Sequence, residues 1–138
     1  MNGFDTDKCL KVKENVNLLP PITVIPPQLH PPIAKLDSGA TGSYFQMQDA
    51  KHLQNIQNQT GPIVVLPDNS KMTSTKTGSL PFPGLSSKAQ QAHIYPKLQS
   101  ASLISVGKLC DDGCDVTFRK NDVTAVKNNN IVLSGKRN

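Results

Sequence analysis

An acidic residue followed by small hydroxyl and glycine residues is the feature of this sequence best suited to chemistry. The stretch runs from Asp37 through Ser38, Gly39 and Ala40 to Thr41. Asp and Ser side chains bond nearby backbone amides and Gly accepts unusual φ angles, so one interpretation is an ordinary surface turn. The other is half of an active site, in which the carboxylate acts as a general acid or base. The motif alone leaves both interpretations open.

The residues around this motif favour short strands and turns. The chain has 138 residues, eleven prolines, nine glycines and only 4% aromatic residues. That length suits one domain, and that composition argues against a helical bundle. An apolar strand at residues 33–36 leads into the motif, and residues 91–98 predict another short strand. Residues 62–82 predict a hairpin, because an apolar run and a hydroxyl-rich run flank a Pro-Asp-Asn turn.

Two short helices and a three-stranded meander complete the predicted elements. Residues 49–57 are helix-like, with Asp49 as N-cap and Leu53 and Ile56 on one face. The residues from 100 to 113 predict a second helix, capped by Ser100 or Ser102 and ended by Gly113. The alternation of apolar and polar residues over 114–135 predicts three strands with turns at 120–121 and 128–130.

The first 33 residues have a different composition from the rest of the chain. They contain six of the eleven prolines, arranged as three Pro-Pro pairs. Proline fixes φ and keeps the preceding residue out of the helical region, so residues 1–33 predict an extended spacer. A sheet-edge strand at residues 22–25 is the alternative within this segment.

Charge and hydropathy exclude some function classes. The net charge of +5 would suit a nucleic-acid partner, but the lysines are scattered and no aromatic residues alternate with them. A mildly basic surface is the commoner reason for such a charge. The sequence has neither a signal-peptide pattern nor an apolar run of about 18 residues, so we expect no membrane span and no secretion. Three cysteines without framework spacing favour reduced thiols in an intracellular protein.

The other polar residues make weaker candidate sites. Cys110 and Cys114 could share a metal with His93 or Cys9, but a zinc site normally needs tighter paired spacing. A small buried hydrophobe is the more usual role of such cysteines. The three histidines show no nucleophile-and-base pattern, which argues against a cysteine or serine protease. We therefore predict no metal and no cofactor.

Beyond the short motif, the chain resembles the retropepsin-like aspartic protease domains in the Pol polyproteins of Copia-type retrotransposons. The matching segments occur in the same order and cover residues 34–137. They are "LDSGATGSYF", "VVLPDNSKMTSTKTGSL", "AHIYPKL", "SLISVGKLCDDGCDVTF" and "NNNIVLSGKR". The resemblance implies a protease domain at residues 34–138, with residues 1–33 as the spacer that follows an upstream structural region.

The resemblance also implies a fold and an assembly. The expected fold is mostly β, a retropepsin-like closed β barrel with one or two short helices and one lobe per chain. Two identical chains would each contribute one Asp-Ser-Gly loop, and the sequence contains that triplet once. If Asp37 is catalytic, a homodimer is therefore required, since two neighbouring carboxylates share one proton in this mechanism.

Each residue of the loop has an implied role. Asp37 would activate the water, and Ser38 would hydrogen-bond across the dimer. Gly39 would let the substrate backbone approach, and Thr41 would contact it. Ala40 stands where the pepsin-like branch carries a hydroxyl that bonds the carboxylate, so we expect activity at mildly acidic rather than strongly acidic pH.

Two further segments have implied roles. The hairpin tip at Asp68, Asn69 and Ser70 would be the flap that closes over substrate, whereas without the Asp-Ser-Gly motif an exposed turn would be the better interpretation. The segment 103–107 resembles the apolar-apolar-Gly element whose helix packs behind the catalytic loop. The sequence departs from the family at positions 43–44, where Ser and Tyr replace a common histidine, so packing beside the loop should differ.

We therefore predict a homodimeric aspartic endopeptidase that processes its own retrotransposon polyprotein in the cytoplasm, within retroelement particles. The alternative is a catalytically inactive remnant that acts as a dimerisation or peptide-binding module. Nucleic-acid binding by this segment is a more distant third.

Overall fold

The computed structural model describes residues 33–136. The predicted spacer up to residue 32 and its alternative edge strand lie outside the described residues. Within them the chain is mostly β, as predicted, with eleven strands and three short helices. The strands are β1 (Lys35–Asp37), β2 (Ser43–Phe45), β3 (Gln54–Asn58), β4 (Val64–Val65), β5 (Lys71–Met72), β6 (Lys76–Ser79), β7 (Gln91–Ile94), β8 (Leu103–Ser105), β9 (Asp115–Phe118), β10 (Asp122–Lys127) and β11 (Asn130–Lys136). The helices are a 3₁₀ helix (Met47–His52), α1 (Ser87–Gln90) and α2 (Val106–Asp111).

Six of these strands form one mixed sheet in the order β1-β8-β2-β7-β6-β3. The strand β8 comes late in the chain but lies between β1 and β2, parallel to β1 and antiparallel to β2. The loop that joins β1 to β2 must therefore cross the end of β8. Pairing leaves β1 and β3 as the two edges, so within residues 33–136 this sheet does not close into a barrel.

The predicted hairpin is present, but it is shorter than expected. Only β4 and β5 pair with each other, with Val64 opposite Met72. The hydroxyl-rich run breaks after Met72, where the buried Ser74 donates its hydroxyl to the carbonyl of Lys76. Beyond this break β6 leaves the hairpin and pairs with β3 and β7 in the six-stranded sheet.

The first predicted helix is largely wrong. A 3₁₀ helix occupies residues 47–52, and the chain then becomes strand β3. Asn55 adopts a left-handed φ of 53°, which interrupts a helix at the point where the pattern predicted it to continue. Leu53 is buried as expected, whereas Ile56 is 41% exposed. Asp49 does not cap the helix, because its carboxylate instead accepts a hydrogen bond from Ser102.

The second predicted helix begins later than the pattern suggested. Residues 103–105 are strand β8, and the N-cap of α2 is Ser105 rather than Ser100 or Ser102. Ser102 is buried and bonds the backbone of Gln46 instead. The predicted end is correct, since Gly113 follows the helix with a φ of +92° that glycine adopts readily.

The predicted meander is confirmed as a three-stranded antiparallel sheet in the order β11-β10-β9. Asn128 and Asn129 join β10 to β11, both with positive φ. Two such residues are typical of a type I′ turn, whose twist matches that of the flanking strands.

The two larger sheets share one hydrophobic core. Side chains of the six-stranded sheet, the helices and the three-stranded sheet belong to a single buried cluster. Its fully buried members include Phe45, Ile94, Leu109, Val116 and Ala125. Ile33, the last residue of the predicted spacer, is 5% exposed and already packs in this core.

Candidate active-site loop

The carboxylate of Asp37 is held by the backbone of its own loop. Asp37 is the last residue of β1 and is partly exposed. Its Oδ1 accepts a hydrogen bond from the backbone N–H of Gly39 at 2.7 Å. The N–H of Ala40 donates to the Asp37 carbonyl at 3.3 Å, which closes the turn. The geometry presents a fixed, accessible carboxylate, which a general acid or base requires.

The loop is supported from behind by the junction of β8 and α2. Ser105 lies beside Asp37 in the parallel β1–β8 pairing and is 1% exposed. Its hydroxyl donates to the Ala40 carbonyl at 2.8 Å and accepts from the N–H of Lys108 at 3.1 Å. One side chain thus caps α2 and holds the middle of the loop.

The far end of the loop is held to the same strand. The backbone N–H of Ser105 donates to the hydroxyl of Ser43 at 3.1 Å, and Ser43 is buried. Sequence reasoning singled out neither serine for this role. The available signal was a serine immediately before Val-Gly-Lys-Leu, the usual place of an N-cap.

The predicted site residues of the loop lie together on its accessible side. Gly39 is exposed, and a Cβ added there would meet only the Asp37 Oδ1, at 3.4 Å. Thr41 is also exposed, but its hydroxyl is paired at 2.7 Å with the hydroxyl of Tyr44. Ser38 and Ala40 are partly exposed between these residues.

The other predicted substrate-binding residues form a separate exposed turn. Asp68 accepts hydrogen bonds from the backbone and the hydroxyl of Ser70, which together lower the pKa of its carboxyl. Asn69 has a φ of 70°. Within residues 33–136 no hydrogen bond joins this hairpin tip to the Asp37 loop.

The weaker candidates that the structure describes, Cys110, Cys114 and His93, form no metal cluster, and Cys9 lies outside the described residues. Cys110 is disulfide-bonded, so the expectation of reduced thiols is wrong for this residue, whereas Cys114 is a free thiol. Burial raises the pKa of the Cys114 thiol to about 11, so this thiol is a poor nucleophile. His93 is partly buried, and its Nδ1 has no hydrogen-bond partner in the described structure. No cluster of three His, Cys, Asp or Glu side chains suited to a metal occurs between residues 33 and 136.

Comparisons with protein-family models, with curated proteins and with solved structures found no match to this chain. No helix of the described part of the chain is long and apolar enough to cross a membrane.

Proposed function

We propose that this chain is one half of a homodimeric, retropepsin-like aspartic endopeptidase that cleaves its own retrotransposon polyprotein. The observation that carries the proposal is the Asp37 loop. Its carboxylate is fixed by Gly39 at the end of β1, and Ser105 holds the loop against β8 and α2. An ordinary surface turn does not need a buried side chain from another strand to hold its backbone.

The chemistry requires a second copy of the chain. The ionised Asp37 of one chain takes a proton from a water, whose oxygen attacks the carbonyl carbon of the peptide bond. The protonated Asp37 of the other chain donates to the carbonyl oxygen. The tetrahedral intermediate then collapses as a proton passes to the leaving nitrogen. Ser38 would bond across the dimer, while Gly39 and Thr41 would face the substrate backbone.

The hairpin β4–β5 is the proposed flap. Its apolar residues Val65, in β4, and Ile63, just before β4, are each about 60% exposed. Such exposed apolar side chains suit contact with substrate. The closed barrel implied by the family resemblance also belongs to this proposal, because the edges β1 and β3 would need further strands to complete it.

The test is cleavage by the full chain at pH 5–6 and high protein concentration. The substrates are a mixed-sequence peptide library and a polyprotein fragment that spans the boundaries of this domain. We expect cleavage that a transition-state-mimicking peptide blocks and that Asp37→Asn abolishes. Asp111→Asn is the matched control, since it removes an exposed carboxylate at the end of α2 and should leave cleavage unchanged.

A folded dimer that cleaves nothing would contradict the protease and support the peptide-binding remnant. The same exposed Ile63 and Val65 would then provide its binding surface. Binding to nucleic acid that falls steeply with salt and ignores Asp37→Asn would instead favour the third alternative.

A further inference from the structure

We propose that Tyr95 and Tyr44 are positioning residues that hold the base of the β4–β5 hairpin against the Asp37 loop. The inference rests on the proposed function in so far as the hairpin acts as a flap. The contacts themselves are independent of catalysis.

The first contact fixes the hairpin base. Tyr95 is 0% exposed, and its hydroxyl donates to the carbonyl of Pro62 at 2.7 Å. Pro62 lies two residues before β4, at the point where the chain enters the hairpin. Tyr95 itself continues the β2–β7 pairing, because its N–H donates to the carbonyl of Phe45 at 2.9 Å. The hairpin base is thus bonded to a residue that is itself hydrogen-bonded to β2.

The second contact reaches the Asp37 loop. The rings of Tyr44 and Tyr95 meet edge to face, with centroids 5.2 Å apart and planes at 80°. Such a pair is a favourable aromatic geometry. The hydroxyl of Tyr44 then pairs with Thr41 at 2.7 Å. Three consecutive contacts therefore join the loop to Pro62.

A further contact brings the hairpin base close to the sheet. A Cβ added to Gly61 would lie 2.5 Å from His93 Nδ1, so only glycine allows this segment to approach the imidazole so closely. His93 is level with Tyr44 in the parallel pairing and lies two residues before Tyr95. The three side chains share one face of the sheet, and residues 61–62 cover that face.

The environment keeps the Tyr95 hydroxyl available as a donor. Burial and the neighbouring Tyr44 raise its pKa to about 12. The phenol is therefore protonated over the whole range in which the protein would work, and the bond to Pro62 does not depend on pH there. Buried phenols normally find such a partner.

The test is hydrogen exchange of the full chain carrying Tyr95→Phe, which removes the hydroxyl and keeps the ring. A typical hydrogen bond contributes about 1 kcal/mol, which corresponds to roughly five-fold in an opening equilibrium. We expect amides at 61–72 to exchange about five-fold faster, while those of β10 and β11 do not change. Unchanged exchange at 61–72, or an equal increase in β10 and β11, would overturn the proposal.

A second variant tests the same anchor without touching a tyrosine. Gly61→Ala forces the segment away from His93 and should raise exchange over 61–72 in the same way. Exchange that stays unchanged in this variant would contradict the close contact. Tyr44→Phe keeps the ring pair with Tyr95 but loses the hydrogen bond to Thr41. This variant should therefore raise exchange at residues 38–44 more than at 61–72. A larger increase at 61–72 would contradict the proposed link between the Asp37 loop and Pro62.

Activity separates this inference from the proposed function. In a cleaving enzyme, Tyr95→Phe should raise KM several-fold with kcat nearly kept, because substrate closure weakens while Asp37 is untouched. A fall in kcat at constant KM would contradict a positioning role. If the wild-type chain cleaves nothing, the protease proposal fails, yet the exchange measurements still decide whether the anchor exists.

Discussion

Ser105 makes the most consequential contacts of any single side chain near the loop. It caps α2 and bonds the Ala40 carbonyl from a buried position. Loss of an N-cap costs about 1 kcal/mol, and loss of the hydrogen bond to the carbonyl of the partly exposed Ala40 costs about 1 kcal/mol more. We expect Ser105→Ala to lower the free energy of unfolding in urea by roughly 2 kcal/mol.

Ser100→Ala is the matched control for this prediction. Ser100 is exposed and was one of the two caps expected from the pattern. Its replacement should change the free energy of unfolding by less than about 0.5 kcal/mol. Equal losses in the two variants would show that Ser105 does not have the role its contacts indicate.

His93 should make the folded protein sensitive to mild acid. Burial, and secondarily the charge of Lys108, lower the pKa of His93 below its ordinary value of 6.5. The unfolded chain therefore binds the proton more readily than the folded one. Above about pH 6.5 His93 is neutral in both states and does not reduce the free energy of unfolding. As pH falls through that value towards the lowered pKa, the unfolded chain takes up the proton first, and the free energy of unfolding decreases.

Urea unfolding at pH 7.5, 6.5 and 5.5 checks this prediction. His93→Gln should flatten the decline in stability between pH 7.5 and 5.5, and Lys108→Gln should reduce it partly. Lys108 of α2 acts on the imidazole through its charge, Tyr44 of β2 and Thr77 of β6 are level with His93 on the two neighbouring strands, and Gly61 approaches its Nδ1. An identical decline in wild type and His93→Gln would exclude His93 as its source.

Among the elements, Asp112 joins three parts of the chain. Its carboxylate accepts from the hydroxyl and N–H of Ser86, the N-cap of α1, and from Lys127 of β10 at 2.9 Å. The bonds from Ser86, followed by that of Lys127, lower the pKa of Asp112 to about 2. Ionised Asp112 therefore stabilises the folded chain above about pH 4, and this stabilisation is lost as pH falls towards 2.

Asp112→Asn should lower the free energy of unfolding at pH 7 by on the order of 1 kcal/mol, since solvent screens part of the interaction. It should also reduce the loss of stability between pH 4 and 2. Thermal unfolding across this range measures both effects. The neighbouring Asp111→Asn is the control, and an equal effect of the two substitutions would refute the special role of Asp112.

For the whole molecule, a shared pair of Asp37 carboxylates makes activity depend on assembly. The proposed enzyme needs two chains. When the protein is diluted below the dissociation constant of the dimer, its cleavage rate should therefore fall more steeply than the protein concentration. Two chains joined in tandem by a flexible linker should restore a rate proportional to concentration. Sedimentation over the same range would relate the rate to the dimer fraction.

The tandem protein gives the sharpest contrast. Asp37→Asn in only one of the two linked copies should abolish most of the cleavage, because each active site loses one member of its pair. Full activity in this single variant would mean that one carboxylate suffices and would contradict the shared mechanism. Asp111→Asn in one copy again serves as the control.

Local patterns predicted the parts of the fold that depend on local interactions. The three-stranded meander, the short strand β7 and the end of α2 shortly before Gly113 all follow from alternation and turn residues. The Asp37 turn was also visible, because Asp and Gly at that spacing favour it. These elements are formed by residues close together in the chain.

Long-range contacts determined the rest. The 49–57 pattern suited a helix, but Asp49 bonds Ser102, 53 positions away, and residues beyond Leu53 pair with β6. Likewise, 103–105 became a strand because β1 and β2 lie on either side of it. A propensity of a few tenths of a kcal/mol per residue is easily overridden by such pairing.

Residue types and local spacing were therefore enough to predict the chemical identity of the candidate loop, its turn, and the mostly β character of the chain. They did not reveal that β8 lies between the two strands that flank this loop, and hence that Ser105 supports it. Nor did they reveal that Tyr95 and Tyr44 link the loop to the hairpin base. The residues that these contacts join are separated by 33 to 65 positions in the chain. No local periodicity encodes which distant strands will pair.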